Sequence, residues 1–258
     1  MLLTALETIF SEARTVADRF AAGREAGFDG IDLRDHAHQV EEVIRAKETS
    51  GLEVGMIYSA MPIPLLAATA VQRAAAVQLL SEKIRAGAAV GARGVVVVPV
   101  FGPPRLTSRT CTEIATAEKV VLDCLLGELE PVLAESGIYL AIEPLNREET
   151  HLFNRPSDVA RWLAGPLWPG VLTMADTYHM DHDGQDGVAE VHAARGLLGC
   201  IHLAGPDRTL PGPEAVDFAA LFRQLQADGY EGPMGFECRP QRTAAIAESV
   251  RFIRQVWN

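Results

Sequence analysis

Short runs of apolar and β-branched residues alternate along the chain with longer stretches in which apolar side chains recur at helical spacing. A glycine or proline marks nearly every switch between the two patterns. The short runs are typical of buried strands, and the longer stretches are typical of amphipathic helices. The pattern predicts eight strands, at 2–9, 30–34, 53–59, 94–100, 138–144, 171–177, 198–204 and 233–238.

Helical patterns separate nearly all of these predicted strands, and several end at the glycine that is favoured just past a helix C-terminus. Strands connected through helices pair in parallel, by right-handed crossovers. Eight such units in about 250 residues match the size of a (β/α)₈ TIM barrel, which is the α/β fold that we predict. A doubly wound open sheet is the alternative, and the lack of a Gly-x-Gly-x-x-Gly turn disfavours it. The clearest helical patterns lie at 15–27, 40–51, 71–91, 116–137 and 217–229.

Composition favours one domain over the whole of 1–258. The 258 residues are 48% apolar, which is enough for a sizeable core, and neither a linker nor a low-complexity segment divides them. The net charge of −11 repels phosphate polymers and anionic membranes, so we expect neither nucleic acid nor membrane as a partner.

Cysteine spacing and the apolar segments indicate the cellular compartment in which the protein is expected. The four cysteines are far apart and form no Cys-x-x-Cys pair, which is typical of reduced thiols in a cytoplasm. The first ten residues lack a basic region and include Glu7, so they do not resemble a signal peptide. The longest apolar stretch, at 86–104, is interrupted by Arg93, several glycines and prolines. We therefore expect a cytoplasmic protein.

Polar residues stand at the ends of the last four predicted strands. Active sites of TIM barrels are built at the C-terminal ends of the strands, where residues from successive βα units meet. The four residues are separated by 33, 26 and 35 positions, each close to one βα repeat, so we expect them at one height on consecutive strands. They are Glu143, Asp176, His202 and Glu237.

Three carboxylates and an imidazole at one barrel mouth would repel one another unless a cation joined them. This donor set favours one divalent ion, Mn²⁺ first, with Mg²⁺ or Co²⁺ also suited and Zn²⁺ tolerated, since no thiolate demands zinc. Asp176 or Glu143 alone would be read as a carboxylate that caps a helix. Four such residues, one at the end of each of four consecutive strands, favour a metal site.

Several motifs resemble those of the xylose isomerase-like TIM barrels, most closely the D-tagatose and D-psicose 3-epimerases and the hydroxypyruvate isomerases. They are EPLNREET, ADTYHM, IHLAGPDR followed by PGPEAVDF, and GFEC, all within 138–238, with GFDGIDLR as a weaker match on the second strand. The resemblance implies that Glu143, Asp176, His202 and Glu237 bind one divalent ion and that the two glutamates move protons. It also implies substrate contacts for Glu149, His179 and Arg208, and a homodimer or homotetramer.

The residues also favour a reaction class. Two glutamates that flank a metal ion, Glu143 and Glu237, offer a carboxylate to each face of an enediolate, so that one removes a proton and the other returns it. Delivery to both faces of one carbon gives epimerisation, and delivery to the neighbouring carbon gives aldose–ketose isomerisation. The residues leave both outcomes open, and the resemblance implies a metal-dependent ketose 3-epimerase that acts on a small sugar or hydroxy-keto substrate, which we predict.

Other functions stay open. A hydroxypyruvate isomerase or an inosose-dehydratase type of lyase would use a similar site, because dehydration also begins with proton removal next to a carbonyl. An apurinic-site endonuclease is disfavoured by the negative charge and by the lack of histidine at the third and fourth strand ends. A non-catalytic sugar-binding barrel would leave the two glutamates unexplained. Substrate length depends on a pocket wall in which we include Glu7, Tyr58, Met61 and Phe101.

Overall fold

The computed structural model describes residues 1–34, 39–106, 110–165, 168–214 and 216–258. The sequence motif at 211–218 therefore includes one position, 215, that lies outside the described residues. The strands are β1 (Leu2–Leu6), β2 (Gly30–Arg34), β3 (Glu53–Tyr58), β4 (Gly94–Val97), β5 (Tyr139–Ile142), β6 (Val171–Asp176), β7 (Leu198–Leu203) and β8 (Pro233–Phe236). The helices are α1 (Val16–Ala26), α2 (Val40–Ser50), α3 (Ala70–Ala89), α4 (Cys111–Ser136), α5 (Pro156–Leu163), α6 (Thr177–His182), α7 (Gly187–Ala193), α8 (Phe218–Ala227) and α9 (Thr243–Trp257).

All eight strands pair in parallel and in chain order, and β8 pairs with β1 to close the barrel. The predicted (β/α)₈ barrel is therefore confirmed, and each predicted strand is present. Seven predicted strands extend past the observed C-terminal ends, and four of them, β1, β4, β5 and β8, do so by two or three residues. Residues Glu7–Ile9 form a 3₁₀ turn instead of the end of β1. After β4 and β5, Pro99 and Pro144 have no backbone N–H to continue the ladder.

Side-chain caps begin several helices. Helix α4 starts five residues before the predicted boundary, because Thr110 and Glu113 form a capping box: Glu113 N donates to Thr110 Oγ1 at 3.1 Å and Thr110 N donates to Glu113 Oε2 at 2.9 Å. The acidic run at 181–187 leads into α7, whose N-cap Asp186 accepts a hydrogen bond from Ala189 N. Of the helices in the described ranges, none is long and apolar enough to cross a membrane.

The barrel interior is apolar in one part and polar in another. Five buried side chains form the apolar part, on strands β3 to β7. A polar group lies on the neighbouring strands, where Asp32 is fully buried and accepts hydrogen bonds from Thr4 Oγ1 at 2.7 Å and from Met56 N at 2.8 Å. Burial raises the pKa of Asp32 to about 6, against the opposing effect of these two bonds. The apolar cluster consists of Met56, Val96, Ala141, Met174 and Cys200.

Candidate active site

The C-terminal ends of β5 to β8 bring four ligand-type side chains together. Glu143 directly follows β5, Asp176 ends β6, His202 lies in β7, and Glu237 directly follows β8. One ligand atom from each of the four lies within 4.8 Å of those from the others. Parallel strands in step place successive strand ends on one rim, which is why residues about one βα repeat apart meet here. We call these four residues the ligand cluster.

His202 turns one ring nitrogen towards the three carboxylates. Its Nδ1 lies 2.9 Å from Glu237 Oε2, 3.3 Å from Asp176 Oδ2 and 3.5 Å from Glu143 Oε1. The side chain is fully buried. Burial lowers the pKa of His202, but Glu237 and the other two carboxylates outweigh it and raise this pKa well above its ordinary value. Nδ1 is the nitrogen that faces the three carboxylates, so it is the one placed to bind a metal ion together with them.

Arg208 lies against the same cluster. Its Nη1 donates to Asp176 Oδ2 at 2.6 Å and to Glu237 Oε2 at 2.8 Å, and its guanidinium stacks over the Tyr178 ring at 4.3 Å. Asp207 and Arg208 adopt left-handed backbone conformations, with φ of 55° and 60°. Such conformations cost free energy in residues other than glycine, and the ion pairs offset this cost.

Arg208 also controls the ionisation of the carboxylates. Burial raises the pKa of Asp176, but Arg208 and the neighbouring histidines outweigh it and hold this pKa well below its ordinary value. Burial likewise raises the pKa of Glu237, and His202 and Arg208 together bring it below its ordinary value. Both carboxylates are therefore charged at neutral pH.

His179 and Glu149, which the resemblance implied as substrate contacts, meet through Asn146. The backbone N–H of Asn146 lies 3.3 Å from His179 Nδ1, and its side-chain Nδ2 lies 2.9 Å from both His179 Nδ1 and Glu149 Oε1. On the opposite side, His179 Nε2 lies 3.8 Å from Asp176 Oδ2 and 3.0 Å from Arg208 Nη2. His179 is buried, whereas the Glu149 side chain is 41% exposed. His179 thus borders the ligand cluster, and Glu149 lies behind it.

The ligand cluster fits a divalent cation. Its three carboxylates and the adjacent guanidinium of Arg208 sum to a charge of −2 when His202 is neutral. Oxygen and imidazole donors in a buried site suit divalent ions of this class. The positive charge of such an ion would balance the site, since uncompensated buried carboxylates are costly.

A cavity of about 380 Å³ opens above the cluster, and Glu143 and Glu237 both line it. Of the predicted pocket wall, Tyr58, Met61 and Phe101 line this cavity. Glu7 has a different environment, because it is buried, pairs with Arg19 and accepts a hydrogen bond from Arg34 N at 2.8 Å. Pockets for small ligands are typically about 300–1,000 Å³, so a sugar-sized molecule suits this space.

Asn146 and Asp32 were not predicted as members of the site. Asn146 had a signal, because it stands three residues after Glu143 in the same strand-end motif. Asp32 had a weaker one, as a lone acidic residue inside an otherwise buried strand. Sequence alone does not show which side chains these residues contact.

Comparisons with known proteins find epimerases to which this chain is similar. The chain is 31% identical over 228 residues to the 3-dehydro-D-guloside 4-epimerase of Escherichia coli (strain K12), and the match covers 87% of each protein. It is 28% identical over 236 residues to the L-ribulose 3-epimerase of Mesorhizobium japonicum, covering 88% of this chain and 77% of that protein. The crystal structure of 3-keto-D-glucoside 4-epimerase from E. coli superposes with a TM-score of 0.87 at 28% identity, covering 99% of both chains. The family described as "Xylose isomerase-like TIM barrel" matches residues 20–256, and the chain therefore belongs to that family.

Proposed function

We propose that this protein is a divalent-metal-dependent epimerase that inverts the carbon next to the ketone of a small sugar, with Mn²⁺ as the ion. The observation that carries the proposal is that Glu143 and Glu237 both belong to the ligand cluster and both line the cavity above it. A substrate in this cavity would have one carboxylate near each side of its reacting carbon. The epimerases among the relatives support an isomerase-type enzyme.

The two glutamates would exchange a proton with the substrate. One carboxylate takes the proton from the carbon next to the ketone, and the C–H bonding pair forms the double bond of an enediolate while the carbonyl electrons move to oxygen. The other glutamate, in its carboxylic acid form, returns a proton to the opposite face and the ketone re-forms. The roles of Glu143 and Glu237 exchange in the reverse reaction. A divalent ion held by the ligand cluster supplies positive charge that stabilises the developing oxyanion.

Neighbouring residues would orient the substrate. His179 has its Nε2 towards the ligand cluster, where an N–H can donate to a substrate oxygen. Arg208 holds Asp176 and Glu237 in place and can offer its remaining N–H groups to a substrate hydroxyl. Glu149 lies on the Nδ1 side of His179, and we propose that it acts on the substrate through Asn146 and this histidine.

Two substrate types are favoured by different relatives. A 2-ketose inverted at C3 is favoured by the motifs and by the L-ribulose 3-epimerase. A 3-keto sugar inverted at C4 is favoured by the 4-epimerase from E. coli, which matches nearly the whole chain. Both reactions invert a carbon next to a ketone, so the same two glutamates serve either.

Deuterium incorporation separates these functions. Manganese-loaded protein is incubated in deuterated water with D-fructose, D-psicose, L-ribulose, 3-keto-glucosides and hydroxypyruvate, and the products are analysed by NMR. Deuterium at C3 of a 2-ketose or at C4 of a 3-keto sugar, together with the inverted product, would support the proposal. Deuterium at C1 or C2 would indicate an aldose–ketose isomerase, and loss of water would indicate a lyase. No exchange with any substrate would contradict the proposal.

A further inference from the structure

The second ring nitrogen of His202 has its own partner. While Nδ1 faces the carboxylates, Nε2 contacts the hydroxyl of Tyr58, and the two rings lie 4.7 Å apart between centroids at an interplanar angle of 36°. Tyr58 ends β3 and His202 lies in β7, two strands that do not pair. The contact therefore crosses the barrel mouth and joins residues 144 positions apart.

This contact matters because a neutral imidazole carries its proton on one nitrogen only. If Nδ1 is to bind a metal ion, the proton must be on Nε2, and Nε2 then needs an acceptor. His202 is fully buried, so an Nε2–H without an acceptor would be an unsatisfied buried donor, which is costly. The Tyr58 hydroxyl oxygen supplies that acceptor within the barrel.

The strand that carries Tyr58 is held in place by Asp32. Asp32 accepts the backbone N–H of Met56, two residues before Tyr58 in the same strand, which fixes the end of β3. A Cβ on Gly235 would lie 2.3 Å from Asp32 Oδ2 and 3.5 Å from Tyr58 Oη. Both oxygens thus border the space that the missing Gly235 side chain leaves, and a larger residue there would displace them.

We propose that Tyr58 is a positioning residue for the metal site: its hydroxyl accepts the Nε2 proton of His202 and so holds the ring with Nδ1 directed at the ligand cluster, where that nitrogen binds the ion. The inference rests on the proposed function, since it concerns how the chain prepares for the ion. Partners that orient a metal-binding histidine typically change metal affinity by about 10–100-fold when they are removed.

Tyr139 provides a matched control. It also projects from a barrel strand and its hydroxyl is bonded, but that hydroxyl donates to Gly199 O at 2.8 Å and has no bond to His202. Tyr58→Phe and Tyr139→Phe each remove one hydroxyl from the barrel interior. A general loss of stability would affect both variants, whereas a positioning role affects metal binding only in Tyr58→Phe.

The test compares wild type, Tyr58→Phe and Tyr139→Phe as full chains. The dissociation constant for Mn²⁺ is measured from the EPR signal of the free ion, and folding is checked by circular dichroism. We expect Tyr58→Phe to bind Mn²⁺ at least tenfold more weakly than wild type, and Tyr139→Phe to bind it within twofold. Equal affinities of Tyr58→Phe and Tyr139→Phe would overturn the inference.

A second measurement needs no folded variant at position 58. Long-range ¹H–¹⁵N spectra of wild-type protein, labelled at histidine and loaded with diamagnetic Mg²⁺, report which nitrogen of His202 carries the proton. The signal is assigned by its loss in His202→Gln. We expect the proton on Nε2, and a proton on Nδ1 would overturn the inference. Failure of wild type to bind any divalent ion would instead refute the proposed function, and the inference with it.

Discussion

The backbone amide of Asn146 lies 3.3 Å from Nδ1 of His179 and donates a hydrogen bond to it. A backbone N–H is always a donor, so Nδ1 is the acceptor in this contact. Nε2 is the nitrogen that borders the ligand cluster. The strand-end loop after β5 therefore holds the ring of a side chain on α6 in a defined orientation.

The Asn146 side chain adds to this effect, which a pair of variants can test. Asn146→Ala keeps the backbone donor, so we expect kcat/KM to fall less than tenfold. Asn146→Asp places a carboxylate beside Nδ1 and draws the proton to that nitrogen, and we expect kcat/KM to fall by about 10–100-fold, as for other partners that orient a histidine. Steady-state kinetics on the substrate identified by deuterium exchange provide the measurement. Equal effects of the two variants would argue against a role of the Asn146 side chain in orienting His179.

Replacing either glutamate with glutamine tests the proton-transfer roles. Glutamine keeps the shape and one oxygen donor but cannot take or give the proton. We expect Glu143→Gln and Glu237→Gln each to lower kcat by more than about a hundredfold, in the range typical of acid–base residues. Glu148→Gln is the matched control, because its side chain is 80% exposed on the same loop as Glu149. Deuterium exchange in either variant at the wild-type rate would refute the assignment.

Asp32 should make stability depend on pH. Its pKa is about 6 in the folded protein against 3.8 as the ordinary value, so between these pH values the folded state binds the proton more readily than the unfolded state. The free energy of unfolding therefore falls as pH rises from about 4 to 6, by on the order of 2–3 kcal/mol from this group, and stays lower above pH 6.

Asp32→Asn removes that titration. Relative to wild type, the variant should gain stability as pH rises from 4 to 7, with little further change up to pH 8. Urea unfolding at several pH values, followed by circular dichroism, measures the difference between the two proteins. If the difference in free energy of unfolding between the two proteins does not change with pH, or shifts in favour of wild type as pH rises, Asp32 ionises as easily in the folded barrel as in water.

Two glycine replacements should have opposite effects on stability. A Cβ at Gly235 would lie 2.3 Å from Asp32 Oδ2 and 3.0 Å from Thr4 Oγ1, so Gly235→Ala should cost about 1–3 kcal/mol, as overpacking does elsewhere. Gly127 lies inside α4, where a Cβ would make ordinary contact with Trp168 at 3.6 Å. Gly127→Ala should stabilise the helix by about 0.5–1 kcal/mol. Thermal unfolding compares both, and a stabilised Gly235→Ala would contradict the packing described for the barrel.

Much of the architecture was predictable from local pattern. Alternation of apolar runs with helical stretches predicts the parallel barrel, because each connecting helix must return the chain to the same edge of the sheet. Strand ends were less predictable, as at Glu7–Ile9, where a 3₁₀ turn continues an apolar run without pairing. The apolar pattern in the sequence indicates which residues are buried. Buried residues continue past the last hydrogen bond between neighbouring strands, so the pattern overestimates the length of a strand.

The sequence by itself determined that Glu143, Asp176, His202 and Glu237 end successive strands, since their spacing follows the βα repeat. Only the tertiary structure decided which atoms face one another. Tyr58 meets His202 across the barrel mouth, and Asn146 meets His179 between two loops. Such contacts depend on strand tilt, on barrel closure and on rotamers set by packing. None of these features produces a repeating pattern in the sequence. For that reason the ligand cluster could be predicted, and the groups that orient it could not.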